Sequence, residues 1–199
     1  MFGTNSFNLV WEKVCAEVMD NQLQKPIGGL RLPMPLAEQY RDMRHKKLID
    51  LIDKPQWSGT APNSELFVKQ AEDTLIPDLI SIVNVDGNYQ FIIFDAKYYN
   101  IQLEHNKKLR GQPGIESITK QYLYQLAYQP FVEAHQIGTV RNCFLMPTSS
   151  AEIVEKGTAS LSMLSELGLQ DIQVRLPPAA MMYRHYIDNT KLDLQLLNL

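Results

Sequence analysis

The sequence predicts an α/β domain, with a central mixed sheet covered by helices on both faces. Apolar residues recur at helical spacing near the start of the chain, and an Asp-Gly turn joins two apolar runs in the middle. A long helical stretch separates those runs from later apolar ones. Helices and strands in this order pack as layers on one sheet. At 199 residues and 45% apolar content, the chain is expected to form a single domain over 1–199.

Two helices and a hairpin are predicted in the first half of the chain. Helical spacing indicates a helix over 6–24, capped by Asn5 or Ser6, and a second helix over 36–53. The second helix has a basic face made of Arg41, Arg44, His45, Lys46 and Lys47. There follow a loop over 54–62, a short strand at 65–68 and hairpin strands at 78–83 and 89–94, joined through Asp86-Gly87.

A helix and two buried strands are predicted in the second half. Residues 100–114 are polar and basic and indicate a mobile loop, and helical spacing then extends over 115–136. Short apolar runs at 142–146 and 171–176 indicate buried strands, with a helix at 160–167 between them. Pro177 and Pro178 begin a closing helix that reaches Tyr186, because proline favours the first turn of a helix.

Charge, hydropathy and cysteine content limit the classes of function that the chain can have. The formal net charge of −3 is unlike that of proteins that bind DNA unaided, so any grip on nucleic acid is expected from a local patch or a partner. The chain has neither a signal peptide nor an apolar stretch long enough to cross a membrane, which predicts a soluble cytoplasmic protein. Cys15 and Cys143 lie in apolar surroundings and indicate a reducing compartment. Scattered histidines without paired cysteines argue against a zinc site.

Two acids and a lysine carry the predicted chemistry. Pro77-Asp78 opens the first hairpin strand and Asp95-Ala96-Lys97 closes the second, so the hairpin brings Asp78 beside Asp95 and Lys97. Mg²⁺ prefers a few carboxylate oxygens and promotes phosphodiester hydrolysis. We interpret Asp78, Asp95 and the Ala96 carbonyl as metal ligands, and Lys97 as the group that orients water and stabilises the transition state. The alternative is a strand cap and a surface ion pair.

These residues resemble the PD-(D/E)xK nuclease superfamily, whose Pro-Asp and Asp-x-Lys motifs lie on adjacent strands of an α-β-β-β-α-β core. The opening segment 2–15, Phe-Asp-Ala-Lys-Tyr-Tyr at 94–99 and Lys-Gln-Tyr-Leu-Tyr-Gln-Leu-Ala-Tyr at 120–128 resemble the LlaJI family of restriction endonucleases. The resemblance implies a restriction-endonuclease-like fold and a Mg²⁺-dependent DNA endonuclease, in which Mn²⁺ can substitute. It also implies 5′-phosphate and 3′-hydroxyl products and a relation to the nuclease subunit of McrBC-type systems.

The resemblance further implies that a glutamate of the first helix belongs to the metal site. Glu12 and Glu17 lie on opposite flanks of the apolar stripe of that helix, so only one of them can face the acids. The family pattern favours Glu12, which follows Trp11. The alternative for either glutamate is a solvated charge on the flank of the helix.

Polar and aromatic residues on the helix over 115–136 form a second candidate set. They fall within one sector of the helix and could bind phosphate or hold the lysine. Related nucleases carry a Gln and a Tyr on this helix, which implies a catalytic role for Gln125. The alternative is that the tyrosines pack their rings and solvate their hydroxyls. The set is Gln121, Tyr124, Gln125 and Tyr128.

The leading hypothesis is the nuclease component of a restriction system. Lys107, Lys108 and Arg110 could clamp the phosphates of DNA, although a solvated loop is the simpler interpretation. No Walker motif occurs, so a nucleotide-driven step needs a separate subunit, for which the resemblance implies a GTPase of McrB type. A second copy of the chain is another candidate partner. Competing hypotheses are a repair nuclease or junction resolvase, and a noncatalytic nuclease-like module whose acid and lysine side chains diverge.

Overall fold

A five-stranded mixed sheet forms the centre of the computed structural model, which describes residues 4–199 and the side chains from residue 7 onward. The caps predicted at Asn5 or Ser6 concern side chains outside the described residues. The helices are α1 (Thr4–Val18), α2 (Ile115–Ala134), α3 (Ser162–Ser165) and α4 (Ala179–Ile187). The strands are β1 (Gln56–Thr60), β2 (Leu66–Gln70), β3 (Leu79–Val85), β4 (Asn88–Ala96), β5 (Thr139–Leu145), β6 (Val154–Ala159) and β7 (Ile172–Leu176).

The main sheet has the strand order β3-β4-β5-β7-β6, which confirms the predicted α/β class. β3 and β4 form the predicted antiparallel hairpin, and both residues of its turn, Asp86 and Gly87, have positive φ. β4, β5 and β7 are parallel, whereas β6 runs antiparallel to β7. α2 crosses over from β4 to the parallel β5, so its first turns lie beside the end of β4.

Helices cover both faces of this sheet. α1 and α4 pack on one face around Trp11 and Phe94, and α2 packs on the other face around Phe91 and Tyr128. The side chains of successive residues of β4 lie on opposite faces of the sheet, because side chains alternate along a strand. Asp95 has the same parity as Phe91 and therefore faces the layer that contains α2.

The predicted helix over 36–53 is wrong. This segment contains two 3₁₀ turns, Glu38–Met43 and Leu48–Leu51, and its middle runs antiparallel to residues 23–28. Main-chain bonds from the Ile27 N–H to the Lys46 carbonyl and from the Leu48 N–H to the Lys25 carbonyl, at 2.9 and 3.0 Å, hold the two stretches together. Helical spacing of apolar residues cannot distinguish a helix from turns that bury the same residues.

Other boundaries also differ from the prediction. α1 ends at Val18, since residues 19–22 run along β3, where the Ser81 hydroxyl donates to the Met19 carbonyl at 2.5 Å. The predicted loop over 54–62 contains β1, which pairs with β2 in a separate two-stranded ribbon. β6 was not predicted, because its sequence Val-Glu-Lys-Gly-Thr-Ala lacks a clear apolar pattern. Across residues 4–199, no helix is both long enough and apolar enough to cross a membrane.

Candidate functional site

The β3–β4 hairpin brings the two acids together at one end of the sheet. Leu79 pairs with Phe94, so Asp78, just before β3, lies beside Asp95, near the end of β4. One carboxylate oxygen of Asp78 accepts a hydrogen bond at 2.8 Å from the main-chain N–H of Ala96. This bond fixes Asp78 against the last residue of β4.

Lys97 lies between the two carboxylates. Its Nζ is 2.5 Å from Oδ1 of Asp95 and 3.9 Å from Oδ2 of Asp78. Its main-chain N–H donates to the Leu145 carbonyl at 2.9 Å, which continues the β4–β5 pairing one residue beyond β4. The three side chains are no more than 23% exposed and form one cluster on a rigid strand end.

One ammonium cannot neutralise two carboxylates, and the pKa values reflect this imbalance. Burial and, after it, the charge of Asp78 raise the pKa of Asp95 to about 7, although Lys97 opposes the rise. Burial lowers the pKa of Lys97, but Asp95, Asp78 and Glu12 outweigh burial, so the net shift is upward. At neutral pH a proton therefore partly relieves the excess of carboxylates, and a divalent cation could take the place of that proton.

Trp11 fixes α1 beside this cluster. Its indole N–H donates to the carbonyl of Leu145 at 3.1 Å, and Leu145 is the β5 partner of Ala96. Glu12 follows Trp11 on the same turn. Partial burial and, after it, the charge of Asp78 raise the pKa of Glu12. The carboxyl group of Glu12 thus lies within electrostatic reach of the acids.

Glu17 has a different neighbour. Its carboxylate is 3.6 Å from the ammonium of Lys191, which also donates to the main-chain carbonyl of Glu17. Lys97 partly offsets the upward shift in the pKa of Glu12. Of the two glutamates left open by the sequence, the structure places Glu12 toward the acid cluster.

Two tyrosines of α2 hold two segments of the chain that precede the acids. The hydroxyl of Tyr124 donates to the Ile76 carbonyl at 2.8 Å, two residues before Asp78. Burial and, after it, the charges of the two acids raise the pKa of Tyr124. The hydroxyl of Tyr128 donates to the Leu48 carbonyl at 3.3 Å. Tyr124 is therefore near the acids, and Tyr128 supports the segment that precedes the hairpin.

The two glutamines of α2 have different surroundings. The oxygen of Gln125 accepts hydrogen bonds from the Asn142 amide at 2.8 Å and from the Gln170 main chain at 3.1 Å, so it is engaged in the core. Gln121 is fully buried, and within residues 7–199 neither its oxygen nor its nitrogen has a hydrogen-bond partner. Gln121 precedes Tyr124 by the same interval that separates Gln125 from Tyr128. The spacing alone therefore could not distinguish the two glutamines, and the prediction of a catalytic role for Gln125 came from the resemblance.

The basic loop before α2 is only partly free to bind anions. Lys107 forms an ion pair with Glu104 at 2.6 Å, while Lys108 and Arg110 have no ion pair among the described residues. The loop is closed by a main-chain hydrogen bond at 2.8 Å from the Gln102 N–H to the Arg110 carbonyl. Two of the three predicted phosphate contacts therefore present uncompensated charge.

The acid cluster suits a divalent cation by the chemistry of its oxygens. Within residues 7–199, no three His, Cys, Asp or Glu side chains gather into a ready-made metal cage. Oδ2 of Asp95, however, is buried and has no hydrogen-bond partner in the described part of the chain. A buried carboxylate oxygen without a partner is unfavourable. Mg²⁺ would satisfy it, and Mg²⁺ needs only one or two protein carboxylates because it keeps several waters.

Comparison with known families agrees with this geometry. The sequence model of the LlaJI restriction endonuclease family matches residues 38–180. The chain belongs to the LlaJI restriction endonuclease family. This membership confirms the resemblance predicted from the motifs. The matched region of the LlaJI-family chain contains Asp78, Asp95, Lys97 and all of α2, and it begins after α1.

A curated relative extends the similarity to α1. The component YdjA of the type II restriction enzyme BsuMI, from Bacillus subtilis (strain 168), is 29% identical over 189 residues. The aligned region covers 95% of this LlaJI-family chain and 34% of the relative. The chain therefore spans about a third of the length of that relative. No solved structure matches the chain.

Proposed function

We propose that this LlaJI-family chain is a single nuclease domain that hydrolyses DNA phosphodiester bonds with Mg²⁺ as part of a restriction enzyme. The observation that carries the proposal is the cluster of Asp78, Asp95 and Lys97, which is part-buried and holds two carboxyl groups around one ammonium. Family membership supports DNA as the substrate. A noncatalytic module would be favoured by acid and lysine side chains that diverge, whereas here they converge on one ammonium.

The proposed ligands are the side chains of Asp78, Asp95 and Glu12, with the carbonyl of Ala96. Bound Mg²⁺ supplies a Lewis acid for the phosphate and a water of lowered pKa. Lys97 donates hydrogen bonds from a fixed position beside the phosphate, so it orients the attacking water and stabilises the developing negative charge. Burial of Asp95 strengthens these interactions because it lowers the local dielectric constant.

The nuclease domain is proposed to act with partners. The name of the relative describes a component of a restriction enzyme, which supports an assembly of several parts. A GTPase subunit of McrB type and a second copy of this chain are the proposed partners, and the net charge of −3 fits a division of labour in DNA binding. Cys15 and Cys143 are both free and buried, in keeping with a reducing compartment such as the cytoplasm.

Metal dependence is the first expected result. Purified chain with supercoiled plasmid is expected to produce nicked or linear DNA in Mg²⁺ or Mn²⁺, and none in EDTA, because the carboxylates need a divalent cation to act on a phosphodiester. The assay is run with and without the GTPase partner and GTP, and products are resolved on agarose gels. Cleavage that continues undiminished in EDTA would contradict the proposed mechanism, as would the absence of cleavage with the partner and metal present.

Glu12 and Glu17 provide a matched pair of variants on one helix. We expect Glu12→Gln to lower the cleavage rate by about 10- to 100-fold, because it removes a carboxylate within reach of the proposed metal. Glu17→Gln is expected to stay within about 2-fold of wild type, since it breaks only an exposed ion pair with Lys191. Cleavage rates of both variants are measured at saturating and at limiting Mg²⁺. If both variants change the cleavage rate equally, Glu12 is not part of the proposed metal site.

A further inference from the structure

Residues 41–47 form an exposed basic segment on a chain whose overall charge is negative. They include four cations and one acid, and none of the cations is buried. We call Arg41, Arg44, Lys46 and Lys47, together with the backbone that carries them, the basic ladder. The chain thus concentrates positive charge in a segment outside the acid cluster and outside the loop before α2.

The charges of the basic ladder are not neutralised within the protein. Among the described residues, neither Arg41, Arg44 nor Lys46 forms an ion pair with a carboxylate. The ammonium of Lys47 donates to the side-chain oxygen of Gln24 at 3.0 Å, and its main-chain N–H donates to the Asp50 carboxylate at 2.9 Å. Lys107, by contrast, is paired with an acid in its own loop. A surface with several free cations is complementary to a polyanion.

The basic ladder is held by its main chain. Residues 44–49 run against residues 23–28 through four main-chain hydrogen bonds of 2.9 to 3.0 Å, two of which are accepted by the carbonyls of Arg44 and Lys46. Gly28 permits this close approach, because a Cβ at that position would lie 3.0 Å from both the Cβ and the carbonyl oxygen of Arg44. Side chains on a fixed backbone lose less entropy when they bind.

α2 places the basic ladder and the acids on the same face of the sheet. Tyr128 bonds to the carbonyl of Leu48, at the end of the ladder, and Tyr124 bonds to the carbonyl of Ile76, just before Asp78. Four residues of an α-helix correspond to about 6 Å along its axis. The two segments therefore reach α2 one turn apart, so the backbone that follows the ladder and the backbone that precedes Asp78 are anchored on neighbouring turns of one helix.

We propose that Arg41, Arg44 and Lys46 bind phosphates of the DNA backbone on one side of the bond that is cut. This contact is independent of base sequence and supplies grip that the rest of the chain, with its negative net charge, does not. The inference rests on the proposed function for the identity of the polyanion, which is duplex DNA. It assigns the main phosphate contact to the ladder, which has three cations without an ion pair among the described residues, whereas the loop that contains Lys107 has two.

The test is the salt dependence of DNA binding by the full chain in EDTA, where cleavage does not interfere. Fluorescence anisotropy with a labelled duplex is measured between about 50 and 200 mM KCl. The double variant Arg44→Gln/Lys46→Gln is expected to lose at least about 10-fold in affinity at low salt, and its log–log salt slope is expected to fall in magnitude by about 2, close to one unit per phosphate contact.

The matched control is Lys13→Gln/Lys191→Gln, which removes the same charge from the side of the molecule that carries α1. We expect its affinity and slope to equal those of wild type. Equal slopes for the ladder variant and wild type would overturn the inference, as would a wild type that shows no salt-dependent binding. Binding without cleavage when Mg²⁺ and the partner subunit are both present would contradict the proposed function but leave this inference standing, so the two failures are distinguishable. Thermal melting checks that each variant is folded.

Discussion

Asp95→Asn is expected to reduce DNA cleavage by about 100- to 1,000-fold while leaving the fold intact. Loss of one group that stabilises a transition state by its charge has an effect of this order. Asp95 is buried, and its Oδ2 has no hydrogen-bond partner among the described residues, so this oxygen is free to bind a cation. The measurement is the initial rate of plasmid cleavage in Mg²⁺, at equal protein concentration and with circular dichroism spectra for both proteins.

Asp86→Asn is the matched control on the same hairpin. Asp86 is exposed in the turn between β3 and β4, at the opposite end from the acids, and Asn is at least as favourable as Asp before a glycine of positive φ. Its cleavage rate is expected to stay within about 2-fold of wild type, since exposed residues away from the site contribute little. Activity that survives in Asp95→Asn would exclude Asp95 from the reaction.

Asp95→Asn is also expected to stabilise the metal-free protein above neutral pH. Burial and, after it, the charge of Asp78 raise the pKa of Asp95 from 3.8 to about 7. The contribution of this group to stability is fully present at low pH and is lost as pH rises from about 4 through about 7. Wild type should therefore match Asp95→Asn at about pH 4 and be less stable by a few kcal/mol at about pH 8, as measured by urea unfolding in EDTA.

Lys97→Met is expected to lower the rate of DNA cleavage by at least about 100-fold. The same variant is expected to bind the metal ion more tightly than wild type. The variant loses the cation that stabilises the developing charge. It also removes an ammonium that lies 2.5 Å from one carboxylate and 3.9 Å from the other, where it competes with any bound cation. Mn²⁺ binding measured by calorimetry and cleavage measured on plasmid should thus change in opposite directions.

Stability provides an independent readout for this variant. Without Lys97 the two acids face each other uncompensated, so the metal-free protein is expected to lose about 2 to 3 kcal/mol at neutral pH. Mg²⁺ should restore more stability to the variant than it adds to wild type, because the stabilisation by a ligand increases with the logarithm of its affinity. Lys25→Met, which breaks an exposed pair with Asp20, is the control and should have an effect of about 0 to 1 kcal/mol. Weaker Mn²⁺ binding by Lys97→Met would contradict the proposed competition.

The parts of the fold that follow from local pattern were predictable. The β3–β4 hairpin rests on a turn, Asp86-Gly87, whose residues both adopt the positive φ that such turns require. β7 and α4 also occur close to their predicted positions, since an apolar run and a proline mark their starts. These signals lie within a few residues of the structure that they specify, so no distant contact was needed to predict it.

The segments for which the prediction was wrong take their structure from pairing with residues that are distant in the chain. Residues 36–53 are not a helix because the chain at 23–28 pairs with them, and no local pattern records that pairing. β1 pairs with β2, and β6 joins the edge of the sheet beside β7, so both form as strands through partners rather than through strong patterns of their own. Strand propensity is weak where it is not reinforced by packing.

The sequence by itself determined the family, the α/β class and the identity of the two acids and the lysine, because these follow from short motifs and hairpin geometry. Only the tertiary structure decided which of several equivalent candidates lies near them. It placed Glu12, and not Glu17, toward the acids. It engaged Gln125 in the core and left Gln121 without a partner among the described residues. Periodicity assigns a residue to one side of a helix, but packing sets how the helix is rotated and what that side meets.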